Sequence, residues 1–305
     1  MAAIQVSGLR KAYGEVEAVR GIDFEVAEGE CFALLGPNGA GKTTTVEILE
    51  GYRDRDGGEV EVLGHDPRRN ERSLRERVGI VLQSSGQFRE LTVREVLDLF
   101  GGYYPGPRDS VEVIDLVGLG DKAAARVKTL SGGQQRRLDL ALGLVGDPDL
   151  LFLDEPTTGF DPSARRRSWE LIESLRDLGK TILLTTHYMD EAQNLADRVA
   201  IITAGRIVAS GTPGSLGGRD EGEAVVAFRL PPGAALADLP AGLGGRAAPH
   251  DGRVELATTE PTRTLHLLTG WALERGAELD ALTVTRPSLE DVYLRLTGDE
   301  ELTHA

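Results

Sequence analysis

Gly36-Pro37-Asn38-Gly39-Ala40-Gly41-Lys42-Thr43-Thr44 is the stretch on which the reading of this chain turns. Gly36, four intervening residues and then Gly41-Lys42-Thr43 make up the complete phosphate-loop (P-loop) pattern. Cys31 to Leu35, just before it, is an unbroken apolar run of the kind found in a buried strand. Thr44 to Leu49, just after it, reads as a helix. In that setting the glycines permit tight turns, successive N–H groups point inward, and the helix start adds free N–H groups and a positive dipole end. Lys42 is placed to reach the β- and γ-phosphates of a nucleotide, and Thr43 to ligate Mg²⁺. Gly36, Pro37, Asn38, Gly39, Ala40, Gly41, Lys42, Thr43 and Thr44 are the candidate contacts, with ATP and Mg²⁺ the expected ligands.

Outward from the loop, Ile4-Gln5-Val6 and Gly21 to Val26 alternate apolar and polar residues, as antiparallel strands with one wet face do. Val78 to Leu82, Leu150 to Leu153, Thr181 to Thr185 and Val199 to Thr203 read as further buried strands. Helical periodicity marks Leu91 to Phe100, Val111 to Val117, Ser163 to Asp177 and Met189 to Ala196. Thr92 with Glu95 fits a capping box. The alternation of strand and helix implies an α/β fold around a mainly parallel sheet. Gly211 to Gly218 reads as a linker. Beyond it, strands at 224–230, 253–257 and 279–285 and helices at 265–275 and 289–296 suggest a small α+β unit.

Composition narrows the function classes. The chain has 305 residues and a net charge of -15, which argues against broad binding to nucleic acid or anionic lipid. Its one cysteine, Cys31, excludes an internal disulfide and fits a reducing compartment. The start, Met1 to Leu9, lacks the features of a signal peptide, and no run approaches the roughly 18 apolar residues that cross a bilayer. Work at a membrane would need another chain to supply the spans.

Two more segments carry chemistry. Leu150-Leu151-Phe152-Leu153-Asp154-Glu155 is an apolar strand ending in two carboxylates: Asp154 is placed to hold the Mg²⁺ shell, and Glu155 to polarise an attacking water. Read alone, it is also a strand end with two solvated acids. Leu130-Ser131-Gly132-Gly133-Gln134-Gln135-Arg136-Arg137 leads a hydroxyl and two glycine N–H groups straight into a helix, a second anion site. Read alone, it is equally an N-capped helix after a turn.

With these three segments in order, the chain resembles the ATP-binding cassette (ABC) family, whose signature is LSGGQ. The resemblance covers about residues 4–218. It implies a P-loop ABC cassette with a mixed sheet over residues 1–218, a helical signature subdomain at about 84–145, and a small α+β C-terminal accessory domain over 219–305. By resemblance, Tyr13 is the adenine-stacking aromatic, Gln83 the Q-loop glutamine that touches Mg²⁺, and His187 the switch histidine at the γ-phosphate. Thr158-Gly159-Phe160-Asp161-Pro162 resembles the D-loop, with Phe160 where leucine is usual. The metal set is then Thr43, Gln83 and Asp154, and the catalytic set Glu155, His187 and Lys42.

The implied mechanism is a head-to-tail dimer, in which Ser131, Gly132, Gly133 and Gln134 of one copy close over ATP on the P-loop of the other. With a single set of motifs, the chain needs a second copy of itself or a paralogue. Glu90-Leu91-Thr92-Val93-Arg94-Glu95 and the ending Pro287 to Gly298 are similar to ABC-2 export ATPases of the daunorubicin-resistance group. This implies a separate ABC-2 membrane permease, efflux of a drug or lipid-like compound, and a peripheral location at the cytoplasmic face of the membrane. The competing reading is a soluble ABC ATPase acting on the ribosome or nucleic acid. That class carries paired cassettes, coiled-coil insertions or zinc insertions absent from this sequence, and no nucleic-acid partner is expected.

Overall fold

The alternation near the N-terminus arises from a sheet with one buried face. β1 (Ala2–Tyr13) pairs antiparallel with β2 (Val16–Ala27), setting Val6 opposite Phe24 and Ile4 opposite Val26; its other edge pairs with β4 (Gly57–Val62). The computed structural model describes residues 1–81, 88–216, 224–243, 247–250, 253–285 and 293.

A second sheet has six strands: β3 (Cys31–Leu35), β5 (Val78–Val81), β6 (Leu150–Asp154), β7 (Thr181–Thr186), β8 (Arg198–Thr203) and β9 (Arg206–Gly211). Their order is β5-β6-β7-β3-β8-β9. The first five run parallel, and β9 lies antiparallel on β8, so the sheet is mixed. β3 and β7 are buried at every position, which is why they read as continuous apolar runs. Sequence periodicity missed β4, because Gly57-Gly58 opens it without a side-chain pattern. It also missed β9, an edge strand only partly covered, which takes in Gly211 where a linker was expected to begin.

Between the sheets lies α1 (Lys42–Leu49), which sends Val46, Ile48 and Leu49 into a core shared with Ile4, Phe24, Phe32, Phe152, Leu183 and Ile202. Phe24 stacks on Phe32 with ring centroids 5.4 Å apart, bonding one sheet to the other. Each such large apolar side chain contributes about 1.5–3 kcal/mol by leaving water. The core therefore grips the helix that holds the P-loop at its N-terminus.

Helices α2 (Arg72–Arg75), α3 (Val93–Gly101), α4 (Ser110–Leu116) and α5 (Gly132–Leu144) lie between β4 and β6 in the chain, with β5 between α2 and α3. α3 starts with the expected capping box, Thr92 with Glu95. α6 (Pro162–Asp177) and α7 (Met189–Leu195) separate β6, β7 and β8. Asp161 caps α6, and Pro162 occupies its first turn with φ already set for a helix. No helix among the described residues is long and apolar enough to cross a membrane.

The chain divides into two compact units, Met1–Pro213 and Gly214–Ala305. The second is an antiparallel sheet in the order β11-β12-β10-β13, formed by β10 (Ala224–Phe228), β11 (Ala247–His250), β12 (Arg253–Thr258) and β13 (Thr283–Thr285). α8 (Pro261–Glu274) joins its core of Val226, Phe228, Leu256 and Leu268. α8 begins at Pro261, four residues before the periodicity suggested, because proline suits a first turn. β13 starts at Thr283 instead of 279. The helix expected at 289–296 lies outside the described residues except for Tyr293, which is helical.

Glu50, at the end of α1, lines a cleft of about 490 Å³ with Leu74, Val78, Ile80, Phe100 and Tyr104. Burial, then the charges of Asp154 and Glu47, push its carboxyl up to about 8 from an ordinary 4.5. A carboxyl raised by folding costs nothing while both states are protonated, and destabilises increasingly as pH rises from the unfolded value to the folded one. Glu50→Gln should therefore raise the thermal midpoint more at about pH 8.5 than at about pH 5.5; an equal effect at both pH values would refute the assignment.

Candidate active site

Parallel register brings the candidate residues together. Leu35 lies opposite Thr186 and Asp154 opposite Thr185, so the loop after β3, the acids ending β6 and His187 after β7 share one edge of the sheet. The Gly36 N–H donates to the Thr186 carbonyl at 3.2 Å, tying the loop to the histidine segment.

Two glycines in the loop are there for space. A Cβ on Gly36 would lie 2.2 Å from the Ile202 carbonyl oxygen, and one on Gly41 2.4 Å from that of Ala18. Gly41 also has φ of 104°, a conformation open to glycine and strained for other residues. Held this way, the loop leaves the N–H groups of Asn38, Gly39, Gly41, Lys42, Thr43 and Thr44 without an acceptor among the described residues. Six orphan donors in the loop and at the helix start are what an anion site draws on.

Lys42 is buried. Its Nζ donates to the carbonyls of Gly36 at 2.8 Å and Pro37 at 3.1 Å, and lies 3.7 Å from Glu155 Oε1. Burial lowers the pKa of its ammonium, opposed by the charges of Glu155 and Asp154. Glu155 is largely buried. Burial alone would raise its carboxyl, but His187, Thr158 and the Lys42 charge outweigh that and hold it below the ordinary range. His187 Nδ1 sits 3.2 Å from Oε1, and the Thr158 hydroxyl donates to Oε2 at 3.1 Å. Thr185 Oγ1 donates to Asp154 Oδ1 at 2.5 Å and accepts from the Glu155 N–H at 3.1 Å. The site thus holds an anion cradle, a cation, an ionised carboxylate and a second carboxylate, all within one unit.

Sequence similarity follows this geometry. Residues 19–158 match the family model described as ABC transporter, and residues 224–288 match one described as ABC transporter domain-containing protein-like, C-terminal domain. A Nod factor export ATP-binding protein I from Paraburkholderia xenovorans is 43% identical over 98% of this chain and 98% of the relative. The chain belongs to the ABC transporter ATP-binding family. It is an ABC ATPase, a subunit of the ATP-hydrolysing kind. Daunorubicin resistance ATP-binding protein DrrA3 of Streptomyces coeruleorubidus is 40% identical over 98% of this chain and 96% of the relative. Among solved structures, cbiO1 from Clostridium perfringens, part of the ABC transporter complex cbiONQ, is 28% identical with a TM-score of 0.65, covering 70% of this chain and 90% of that one.

The remaining candidates of this ABC ATPase divide. Tyr13 is exposed, with the Arg53 guanidinium 5.2 Å and Lys11 Nζ 5.6 Å from its ring centroid. Ser131 caps α5: its Oγ accepts from the Gln134 N–H, and Gln134 Oε1 accepts from the Ser131 N–H. Gly132, Gly133 and Asp161 line a cleft of about 660 Å³ that also reaches Glu155, while no P-loop residue lines it. Asp161 accepts from the N–H groups of Ser163 and Ala164, which hold its carboxyl low. Gln83 lies outside the described residues. Sequence reading missed Thr185, Thr158 and Arg136, which position the acids. Thr185 carried a signal, a hydroxyl in a wholly buried strand, whereas Arg136 looked like one of two adjacent helix arginines.

Gly36→Ala should destabilise the fold by about 1–3 kcal/mol, because the new methyl meets backbone that cannot swing aside. Urea denaturation measures this, and an unchanged midpoint would show that β8 yields.

Proposed function

We propose that this ABC ATPase is the engine of an exporter, binding Mg-ATP at the P-loop and driving a separate ABC-2 type permease at the cytoplasmic face of the membrane. One observation carries the nucleotide reading: six N–H groups of the loop have no acceptor among the described residues, and the Lys42 ammonium of the same loop stands 3.7 Å from Glu155. On this reading Gly36 to Thr44 wrap the phosphates, and Lys42 exchanges backbone carbonyls for phosphate oxygens. Tyr13 stacks on the adenine.

The donors suit Mg²⁺, which favours hard oxygens and keeps several waters and phosphate ligands. The Thr43 hydroxyl and the Asp154 carboxylate would hold it, with Gln83. Bound there, the ion neutralises charge developing on the phosphates. Glu155, kept ionised, accepts a hydrogen bond from the attacking water and aligns it. His187, beside Glu155, contacts the γ-phosphate.

No P-loop residue lines the cleft with Gly132 and Gly133, which favours two copies sharing each nucleotide. A head-to-tail homodimer provides this. The export assignment rests on the Nod factor export and daunorubicin resistance relatives, which match along nearly the whole chain. Their names favour a drug or lipid-like cargo.

Glu155→Gln should retain ATP binding, lose about 10²- to 10⁴-fold in turnover, and form an ATP-dependent dimer visible by light scattering. Full turnover would remove Glu155 from the mechanism. Lys42→Ala should weaken ATP binding in a fluorescent-nucleotide titration, and unchanged affinity would contradict its role. Co-purification with a multi-span membrane protein supports the permease, whereas co-purifying RNA in its place would point to the ribosome.

A further inference from the structure

Arg136 is the fifth residue of α5, the helix whose start carries Ser131 to Gly133. Its guanidinium turns to the end of β6, where Nη2 donates to the carbonyls of Asp154 at 3.0 Å and Glu155 at 3.4 Å, and Nε donates to that of Pro156 at 3.1 Å. One side chain thus holds three consecutive peptide carbonyls. They belong to the turn that aims Glu155 at Lys42 and His187.

That turn needs holding. Glu155 has φ of 46°, in the left-handed region that non-glycine residues enter at a cost. Its N–H is secured by the Thr185 carbonyl and hydroxyl at 3.1 Å each. On the far side, Thr157, fully buried, donates from its hydroxyl to Glu191 of α7 at 2.8 Å. Residues 154–157 are therefore gripped by β7, by α7 just past His187, and by α5. Only α5 also carries the glycine pair of the LSGGQ segment.

We infer that Arg136 is a positioning residue that makes the aim of Glu155 depend on the placement of α5, because its guanidinium joins that helix to the carbonyls of Asp154, Glu155 and Pro156. The inference rests on the dimer reading for one consequence. If Ser131 to Gly133 contact ATP on the partner, Arg136 passes that contact to the carboxylate of its own P-loop site. The two sites of a dimer are then linked by a rigid helix and one fork of hydrogen bonds. Lysine cannot replace it, since an ammonium is a point charge without the planar fork.

The test compares Arg136→Lys and Arg136→Ala with wild type in the full-length protein, using Arg137→Lys as control. Arg137 lies next along the helix but donates instead to the Gly118 carbonyl. ATP affinity, kcat, the Hill coefficient for ATP and the thermal midpoint are measured for each. Both Arg136 variants should bind ATP within about 3-fold of wild type, yet lose about 10- to 100-fold in kcat, as misplacement of a reacting group by about 1 Å does. Their Hill coefficient should fall to about one, while Arg137→Lys keeps kcat. A kcat within about 2-fold of wild type in Arg136→Lys, or a loss of ATP affinity equal to the loss of kcat, would overturn the inference. Failure of the dimer reading looks different: Glu155→Gln would stay monomeric with ATP and wild type would show no cooperativity. That overturns the link between sites, while the kcat loss confined to Arg136 variants still reports positioning within the chain.

Discussion

Lys42 and Glu155 come from distant parts of the chain and stand 3.7 Å apart with little access to water. Two such charges are costly to bury unless each is compensated. The ammonium also holds two backbone carbonyls, and the carboxylate has His187 and Thr158 as neighbours. This pair depends on the parallel register of β3, β7 and β6, and the register depends on the dry core between the two sheets. Loss of that core would separate the charges.

The same edge holds both a strained residue and unsatisfied groups. Glu155 sits at positive φ, and six N–H groups of the P-loop lack partners among the described residues. Around them everything is tied: Gly36 to Thr186, Asp154 to Thr185, and the Glu155 turn to α5 and α7. These ties fix the loop and the turn relative to each other. Preorganisation of this kind is what electrostatic catalysis requires.

The unit from Gly214 has a core of its own, built on Val226, Phe228, Leu256 and Leu268. Its strands were harder to read than those of the first unit. β11 spans only Ala247–His250 and β13 only Thr283–Thr285. β11 is too short for alternation to register, and of the strand read at 279–285 only the last three residues pair. β4 and β9 were missed for related reasons, a glycine opening in one and partial cover in the other. Long buried strands such as β3 and β7 were plain because burial on both faces demands unbroken apolar runs.

By itself the sequence determined the α/β class, the P-loop, the acids at the end of β6, the capped signature helix and the ABC family. Each is local chemistry, in which residue type and spacing carry the signal. Tertiary structure decided which of those residues meet. It set Lys42 against Glu155, placed His187 beside it, and turned Arg136, not its neighbour Arg137, onto the turn that carries Glu155. Local sequence cannot decide this, because the direction of a long side chain is settled by where buried carbonyls wait for a donor, and strands far apart in the chain put them there.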